Sequence, residues 1–405
     1  MLKTLFARRM PLGLLLMLLL STQIVATDLY LPALPQIASY FNRPAGQAQW
    51  TLTLFILSFG VAQLGAGSLV DHYGRRKVLL WGLGLYVLAS TGGALAMQLP
   101  WLMLCRALQG AATSVCVISA RAIVRDNYSG AAGLGIMARN MTGMGVVGVL
   151  SPLLGGLVAQ HLGWHVTLVL MAVFGLLVWL SVYLWFADSY VRPDHIGDVM
   201  FFRFFTHPQF IFSSLIAGIS FSGAVCFLLL SSFAFIGEFG LSRLEYGVMP
   251  ALCTLAFLTG TVMCRRLLLR WSVARSLRFA VCLSLLGGIS EFVLWQFHVR
   301  SVLAMMLPQC VFMLGHGFHQ PCGQGGAVSP FPDHAGRAAA VSGFVMTTVA
   351  FLIGQLVSHS HWPASQTLVV AMVSIALVLG VLVWLVLPLA YPVEFSDKDA
   401  DVVRS

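Results

Sequence analysis

The chain has 405 residues, of which 59% are hydrophobic and 9% are charged, and its formal net charge is +9. A typical soluble domain carries about 25% charged residues, so this composition excludes a soluble enzyme, a disordered protein and a disulfide-stapled secreted domain. Mean hydropathy is +0.88. Because every backbone N–H and C=O must be paired within its own segment in lipid, we predict a polytopic helical membrane protein.

Twelve apolar segments follow one another along the chain, each long enough to cross a bilayer as a helix. The first follows Lys3, Arg8 and Arg9 and continues too far for a cleaved signal peptide, so we expect it to remain as a membrane helix. We number the segments as spans 1 to 12, with predicted bounds of 11–37, 47–70, 77–97, 100–123, 131–160, 165–187, 209–236, 244–265, 276–297, 301–328, 338–360 and 364–390.

Basic residues lie in short loops between the apolar segments. With both termini on one side, the loops of that side carry 18 of the 23 Lys and Arg, and the opposite loops carry Arg43, Arg243 and Arg300. Cytoplasmic loops of membrane proteins are enriched in Lys and Arg. We therefore expect both termini in the cytoplasm, a lipid bilayer around the spans and no nucleic-acid partner.

The longest polar interval, residues 188–208, divides the spans into six and six, and an Arg-rich loop follows both span 2 and span 8. Two similar halves suggest a transporter with its site between them at mid-membrane. We expect a monomer in which a linker joins two bundles and a cytoplasmic tail follows, with bounds of 1–188 for the first bundle, 189–208 for the linker, 209–391 for the second bundle and 392–405 for the tail.

Three of the ionisable residues within spans are prominent, because a charge near the bilayer centre costs about 2.5–3.5 kcal/mol. Asp28 lies in span 1 beside Pro32 and Pro35, which lack an amide donor and should open the helix. A carboxyl in a partly dry cavity could bind and release a proton near neutral pH. Arg106 in span 4 stays charged and must face a wet cavity or an anion. Glu291, near the outer end of span 9, is expected to snorkel to the interface.

The remaining reactive residue types do not indicate an enzyme or a metal site. We interpret the eight cysteines as small packing residues. His316 and His319 share one face of span 10, but two histidines are too few for a metal site, so we expect no metal and treat both as cavity or packing polars. The sequence lacks G-x-x-x-x-G-K-[ST], H-E-x-x-H and G-x-S-x-G, which argues against an enzyme and an ATP-driven pump.

Residues 67–77, between spans 2 and 3, read G-S-L-V-D-H-Y-G-R-R-K. They resemble the loop signature of the major facilitator superfamily, which implies twelve helices in two pseudo-symmetric six-helix bundles. Gly67 should allow close helix approach and Gly74 a tight turn. Asp71 can lie at a positive helix N-terminus, while Arg75 supplies an ion pair beside Arg76. Such contacts could latch the two halves together in one state.

Two further motifs narrow the resemblance. Arg106-Ala-Leu-Gln109-Gly110 resembles the proton-coupled arginine motif of the superfamily. In span 5, the stretch G-V-L-S-P-L-L-G-G resembles the antiporter motif G-P-x-x-G-G, which marks drug/proton exporters, and its small residues and proline give a kinkable, closely packed helix. It departs from the motif at Ser151, where Gly or Ala is usual, and at Gly148, where relatives often place a second proline. The residues that carry it are Gly148, Ser151, Pro152, Gly155 and Gly156.

The phrases at 27–35 (T-D-L-Y-L-P-A-L-P), 120–126 (A-R-A-I-V-R-D) and 333–343 (D-H-A-G-R-A-A-A-V-S-G) resemble the bicyclomycin and chloramphenicol-resistance (Bcr/CflA) exporters. This resemblance implies multidrug efflux from the bacterial inner membrane by proton antiport, with the proton as coupling ion and no other cofactor. A proton-coupled or facilitative transporter of an endogenous amino acid or sugar would use the same motifs and remains an alternative. Plausible polar contacts to a small-molecule substrate are Gln23, Tyr30, Gln63, Gln109 and Asn140.

Overall fold

The computed structural model describes residues 11–127, 130–187 and 201–391. Within these ranges the chain forms helices and no strand, and twelve of the helical segments are long and apolar enough to cross a membrane. The predicted all-α fold with twelve spans is therefore confirmed. The predicted tail and residues 189–200 of the predicted linker lie outside the described residues.

Each observed span overlaps one predicted segment. Span 5 is the apolar part, Gly143–His161, of a longer helix that begins at Gly130. The observed bounds of spans 1 to 12 are Leu12–Tyr40, Ala45–Tyr73, Arg75–Ala94, Leu99–Val124, Gly143–His161, Trp164–Trp185, Pro208–Glu238, Arg243–Leu267, Val273–Gln296, Val302–Val328, Ala335–Ser358 and Ala364–Ala390.

Three consecutive spans begin with a serine cap, which explains why they start where they do. The hydroxyls of Ser242, Ser272 and Ser301 each accept a hydrogen bond from the backbone N–H three residues later, at 3.2 Å. This bond satisfies one of the amide groups that lack a partner within the helix. At Ser242 the bond is reciprocal, because Glu245 Oε2 accepts from the Ser242 amide at 2.8 Å.

The chain divides into two compact units between Gly197 and Asp198. In the first unit, span 1 packs on span 5, span 2 on span 4, and span 3 on spans 4 and 6. In the second unit, span 7 packs on span 11, span 8 on span 10, and span 9 on spans 10 and 12. Each of these pairs in the second unit is a pair of the first with six added, so the two units share one internal arrangement.

Glycines bring corresponding helices close together in both units. A Cβ built on Gly110 of span 4 would lie 3.0 Å from the carbonyl carbon of Phe55 in span 2. A Cβ on Gly317 of span 10 would lie 2.5 Å from the carbonyl oxygen of Phe257 in span 8. Small residues let helix backbones approach in this way. In each unit, the contact joins a phenylalanine of the second helix to a glycine of the fourth.

Candidate functional site

Span 1 is interrupted at Asp28. The helix Leu12–Asp28 ends at this residue, and the next helix of the span, Leu34–Tyr40, begins after a 3-10 turn. Pro32 and Pro35 lie at the start of the turn and of the second helix, and neither has an N–H to donate to the preceding turn. The prediction that the prolines open the helix is confirmed, and the opening directly follows the carboxyl.

The carboxyl of Asp28 is partly buried and has little to neutralise its charge. The Thr27 hydroxyl donates to Asp28 Oδ1 at 2.8 Å. No Lys, Arg or His within the three described ranges forms a salt bridge with Asp28. Arg106 is therefore not its ion-pair partner in this structure.

The antiporter-motif helix packs directly against the break in span 1. A Cβ on Gly155 would lie 2.9 Å from the carbonyl carbon of Leu29, the residue after Asp28, and 3.0 Å from its Cα. The other motif residues form the same buried face of span 5, namely Gly148, Ser151, Pro152 and Gly156. Only glycine leaves room for the span 1 backbone at this point.

Arg106 is enclosed by aromatic rings. Its side chain is 1% exposed, and its guanidinium carbon lies 4.3 Å from the ring centroid of Tyr30 and 4.7 Å from that of Phe55. Faces of aromatic rings attract cations, more strongly where water is excluded. The close approach of Gly110 to Phe55 positions the second of these rings.

Polar contacts continue from Arg106 to span 3. Arg106 Nη1 donates to Gln109 Oε1, and Gln109 Nε2 donates to Ser90 Oγ at 2.7 Å. Arg106 Nε and Nη2 have no acceptor within the described part of the chain. Among the described residues, two N–H groups of the guanidinium are thus without a hydrogen-bond acceptor in this conformation.

The five predicted substrate contacts fall into two sets. Tyr30 and Gln109 belong to the Arg106 network, and the Tyr30 hydroxyl donates to Thr51 Oγ1 at 2.9 Å. Gln63 and Asn140 are buried and Gln23 is partly buried. None of these three forms a hydrogen bond with Asp28 or Arg106 in the part of the chain described, and Asn140 Nδ2 has no acceptor there.

The loop between spans 2 and 3 is held by Arg75. Its guanidinium forms ion pairs with Asp71 at 3.1 Å and with Asp126, at the end of the span 4 helix, at 2.8 Å, and it donates to the carbonyl of Val70. Gly74 joins the two helices with φ +86° and ψ 155°, a conformation open to glycine alone. The predicted tight turn and ion pair are thus present.

Two details of this loop differ from the sequence interpretation. A Cβ built on Gly67 would meet no atom within 4 Å, so close helix approach does not explain this glycine here. Arg76 donates to the carbonyl of Tyr183 at 2.7 Å, so it joins the loop to span 6 of its own unit. The sequence interpretation did not assign Asp126 as a partner, although its phrase A-R-A-I-V-R-D ends on it.

A model of the Major Facilitator Superfamily matches residues 16–355. The chain belongs to this superfamily.

Two relatives place this superfamily member beside drug-resistance proteins. It is 28% identical to multidrug resistance protein D of Escherichia coli (strain K12), over 83% of this chain and 85% of the relative. It is 27% identical to a chloramphenicol resistance protein of Pseudomonas aeruginosa, over 83% of this chain and 82% of the relative. The resemblance drawn from the motifs is therefore confirmed at the level of homologues with these names.

The fold agrees with solved transporters of the superfamily. A bacterial homolog of the human lysosomal transporter Spinster superposes with a TM-score of 0.70 at 15% identity, covering 93% of this chain and 95% of that one. Its family and its relatives, together with the twelve apolar helices, make the superfamily member a multi-pass membrane transporter for small molecules that lies in a lipid bilayer, and not an enzyme.

One cluster of polar side chains lies inside the second unit of this superfamily member. Ser220 Oγ lies 2.8 Å from His316 Nδ1 and 3.1 Å from His319 Nδ1. The His316 ring lies between Phe221 and Phe257, at centroid distances of 6.3 and 5.2 Å. Both histidines therefore act as buried polar groups packed within the unit.

Glu291 is a further buried polar residue of the second unit, and its position corrects the sequence interpretation. Its side chain is 2% exposed and does not reach the surface. Gly287 and Gly288, one turn earlier, hold this face of span 9 against its neighbours. Hydropathy indicated the depth of the residue but not the face on which it lies.

Proposed function

We propose that the chain exports drugs or small amphipathic metabolites in exchange for protons, by alternating access across the bacterial inner membrane. The names of its relatives support drug resistance as the context. The observation that carries the proposal is the Asp28 carboxyl at the break in span 1. It is partly buried, receives a bond from Thr27 and packs beside the antiporter-motif helix.

Asp28 carries the proton in this proposal. A carboxyl with no counter-charge exchanges its proton readily, because burial disfavours the charged form and a change in hydration alters that preference. The adjoining break lets span 1 bend at the carboxyl as the transporter changes state. Asp28 then takes a proton from the outside and releases it to the cytoplasm.

Arg106 sets when that release is favourable. Its guanidinium remains charged and holds two donors without acceptors in this conformation. Tyr30, whose ring covers the guanidinium, is two residues from Asp28, so a movement at the break changes both positions together. In the state where the carboxylate approaches Arg106, its charged form gains a partner and the proton leaves.

Substrate competes with the proton for the same cavity. Asn140 Nδ2 has no acceptor, and Gln23 and Gln63 complete a set of amides suited to amphipathic ligands. A membrane potential of 100 mV supplies about 2.3 kcal/mol per proton, which drives modest accumulation even without a pH gradient.

The proposal also includes the arrangement of the two bundles, their linker and the loop around Arg75. Two six-helix bundles joined by a cytoplasmic linker move as a monomer, with both termini in the cytoplasm. The unit boundary between Gly197 and Asp198 falls within the predicted linker. The loop around Arg75 latches one state and releases it in the other.

Transport by reconstituted protein tests the proposal. Proteoliposomes that contain wild type, Asp28→Asn or Glu245→Gln are given a proton gradient, together with either a drug panel that includes chloramphenicol or a set of amino acids and sugars. Glu245→Gln is the matched control, because it makes the same carboxyl-to-amide change at an exposed position where glutamine also completes the capping box.

We expect wild type and the control to accumulate drug and to move protons in the opposite direction, and Asp28→Asn to do neither. Proton-driven drug accumulation by Asp28→Asn at the wild-type level would exclude Asp28 as the carrier. Accumulation of only amino acids or sugars by wild type would establish the metabolite alternative instead.

A further inference from the structure

Glu291 is an enclosed carboxyl that the proposed export mechanism does not use. It lies in span 9, five residues before the span ends at Gln296. Its side chain is 2% exposed. Neither carboxyl oxygen has a hydrogen-bond donor, and no Lys, Arg or His forms a salt bridge with it, in the portions of the chain that the structure describes.

The packing of span 9 explains why Glu291 cannot escape to the interface. A Cβ on Gly287 would lie 2.7 Å from the carbonyl oxygen of Pro308 in span 10, and a Cβ on Gly288 would lie 2.9 Å from that of Met372 in span 12. These contacts press the helix face that carries Glu291 against both neighbours. The side chain therefore lies inside the second unit.

Few titratable groups face the carboxyl. Cys253 of span 8 lies near it, beside Cys310 of span 10. Span 12 contains no ionisable residue at all. Beyond the end of span 9, Arg300 is exposed and its guanidinium lies 4.7 Å from the ring centroid of Trp295, so it does not serve as the counter-ion.

An ionised carboxylate cannot be sustained in these surroundings. Burying an unpaired charge costs several kcal/mol even after the protein relaxes, and a buried group of this kind becomes neutral instead. We propose that Glu291 is a second proton-binding site, separate from Asp28 and enclosed by spans 8, 9, 10 and 12 of the second unit. The site exchanges its proton with water when these spans separate. This inference rests on neither the substrate nor the direction of transport.

Carbodiimide labelling tests the site in the intact, purified transporter in lipid vesicles. Dicyclohexylcarbodiimide reacts with protonated carboxyl groups in apolar surroundings and leaves an adduct that mass spectrometry assigns to one residue. The variants are Glu291→Gln, which removes the site, and Asp28→Asn, which removes the span 1 carboxyl. Equal thermal unfolding of wild type and Glu291→Gln verifies that the unit is intact.

We expect an adduct on Glu291 at neutral pH in wild type and in Asp28→Asn, and none at position 291 in Glu291→Gln. At high pH the labelled fraction should fall about tenfold per pH unit, as for a single titrating proton. Labelling of Glu291 that vanishes in Asp28→Asn would show that it is not a separate site and would overturn the proposal.

Infrared spectroscopy provides a readout that does not depend on access of the reagent. The spectrum of wild type minus that of Glu291→Gln should contain the carbonyl stretch of a protonated carboxylic acid at neutral pH. Carboxylate bands in its place would show an ionised, solvated or paired Glu291 and would refute the proposal, whatever the export measurements give.

Discussion

Substituting Gly155 by alanine should strain the contact between span 5 and the break in span 1. The added Cβ would lie 2.9 Å from the carbonyl carbon of Leu29, whereas carbon atoms in contact are ordinarily 3.5–4.0 Å apart. The two backbones must therefore separate by about 0.6 Å or more. Overpacking of this kind costs about 1–3 kcal/mol.

The cost falls beside Asp28, so it should act on transport as well as on folding. If only one of the two transport states bears the strain, the cost of about 1–3 kcal/mol shifts the equilibrium between the states by about 5-fold to 150-fold. We expect Gly155→Ala to unfold at a lower temperature and to accumulate drug more slowly. Thermal unfolding in detergent and transport in proteoliposomes measure the two effects.

Gly65→Ala is the matched control. Gly65 lies within span 2, and a Cβ there would meet nothing within 4 Å. Alanine at such a helical position should leave stability unchanged or raise it by up to about 1 kcal/mol. Should Gly155→Ala behave like Gly65→Ala in both assays, the close packing of spans 1 and 5 would be refuted.

Three further substitutions test other parts of the first unit. Arg106→Lys removes the planar group that stacks on Tyr30 and should lower both efflux and stability, the latter by about 2 kcal/mol, as measured by drug accumulation and thermal unfolding. Asp126→Asn should cost about 1–3 kcal/mol, and a double-mutant cycle with Arg75→Gln should attribute most of that to the pair rather than to either residue alone. Gly74→Ala places a side chain at φ +86° and should cost about 1–3 kcal/mol in the free energy of unfolding, unless the loop adopts another turn.

The sequence was sufficient for features that depend on local chemistry. The twelve spans follow from apolar length alone, since lipid requires internally bonded helices. The break after Asp28 follows from Pro32 and Pro35, and the turn at Gly74 from its conformational freedom. Each of these depends on residues close together in the chain.

Features that depend on distant residues were not predictable in the same way. The rings that enclose Arg106 come from two other spans, and nothing in the sequence indicates which helices pair. For Glu291, hydropathy gives its depth in the span, but only the packing at Gly287 and Gly288 decides which way it faces. Gly67 matched a motif, yet this structure gives it no close neighbour.

Both units hold a polar side chain of their fourth helix between a ring from their first helix and a ring from their second. In one unit the side chain is Arg106, between Tyr30 and Phe55; in the other it is His316, between Phe221 and Phe257. A permanent cation and an imidazole thus contact rings from corresponding helices of one repeated scaffold. The chemistry of either half can accordingly diverge by point substitution while its architecture is preserved.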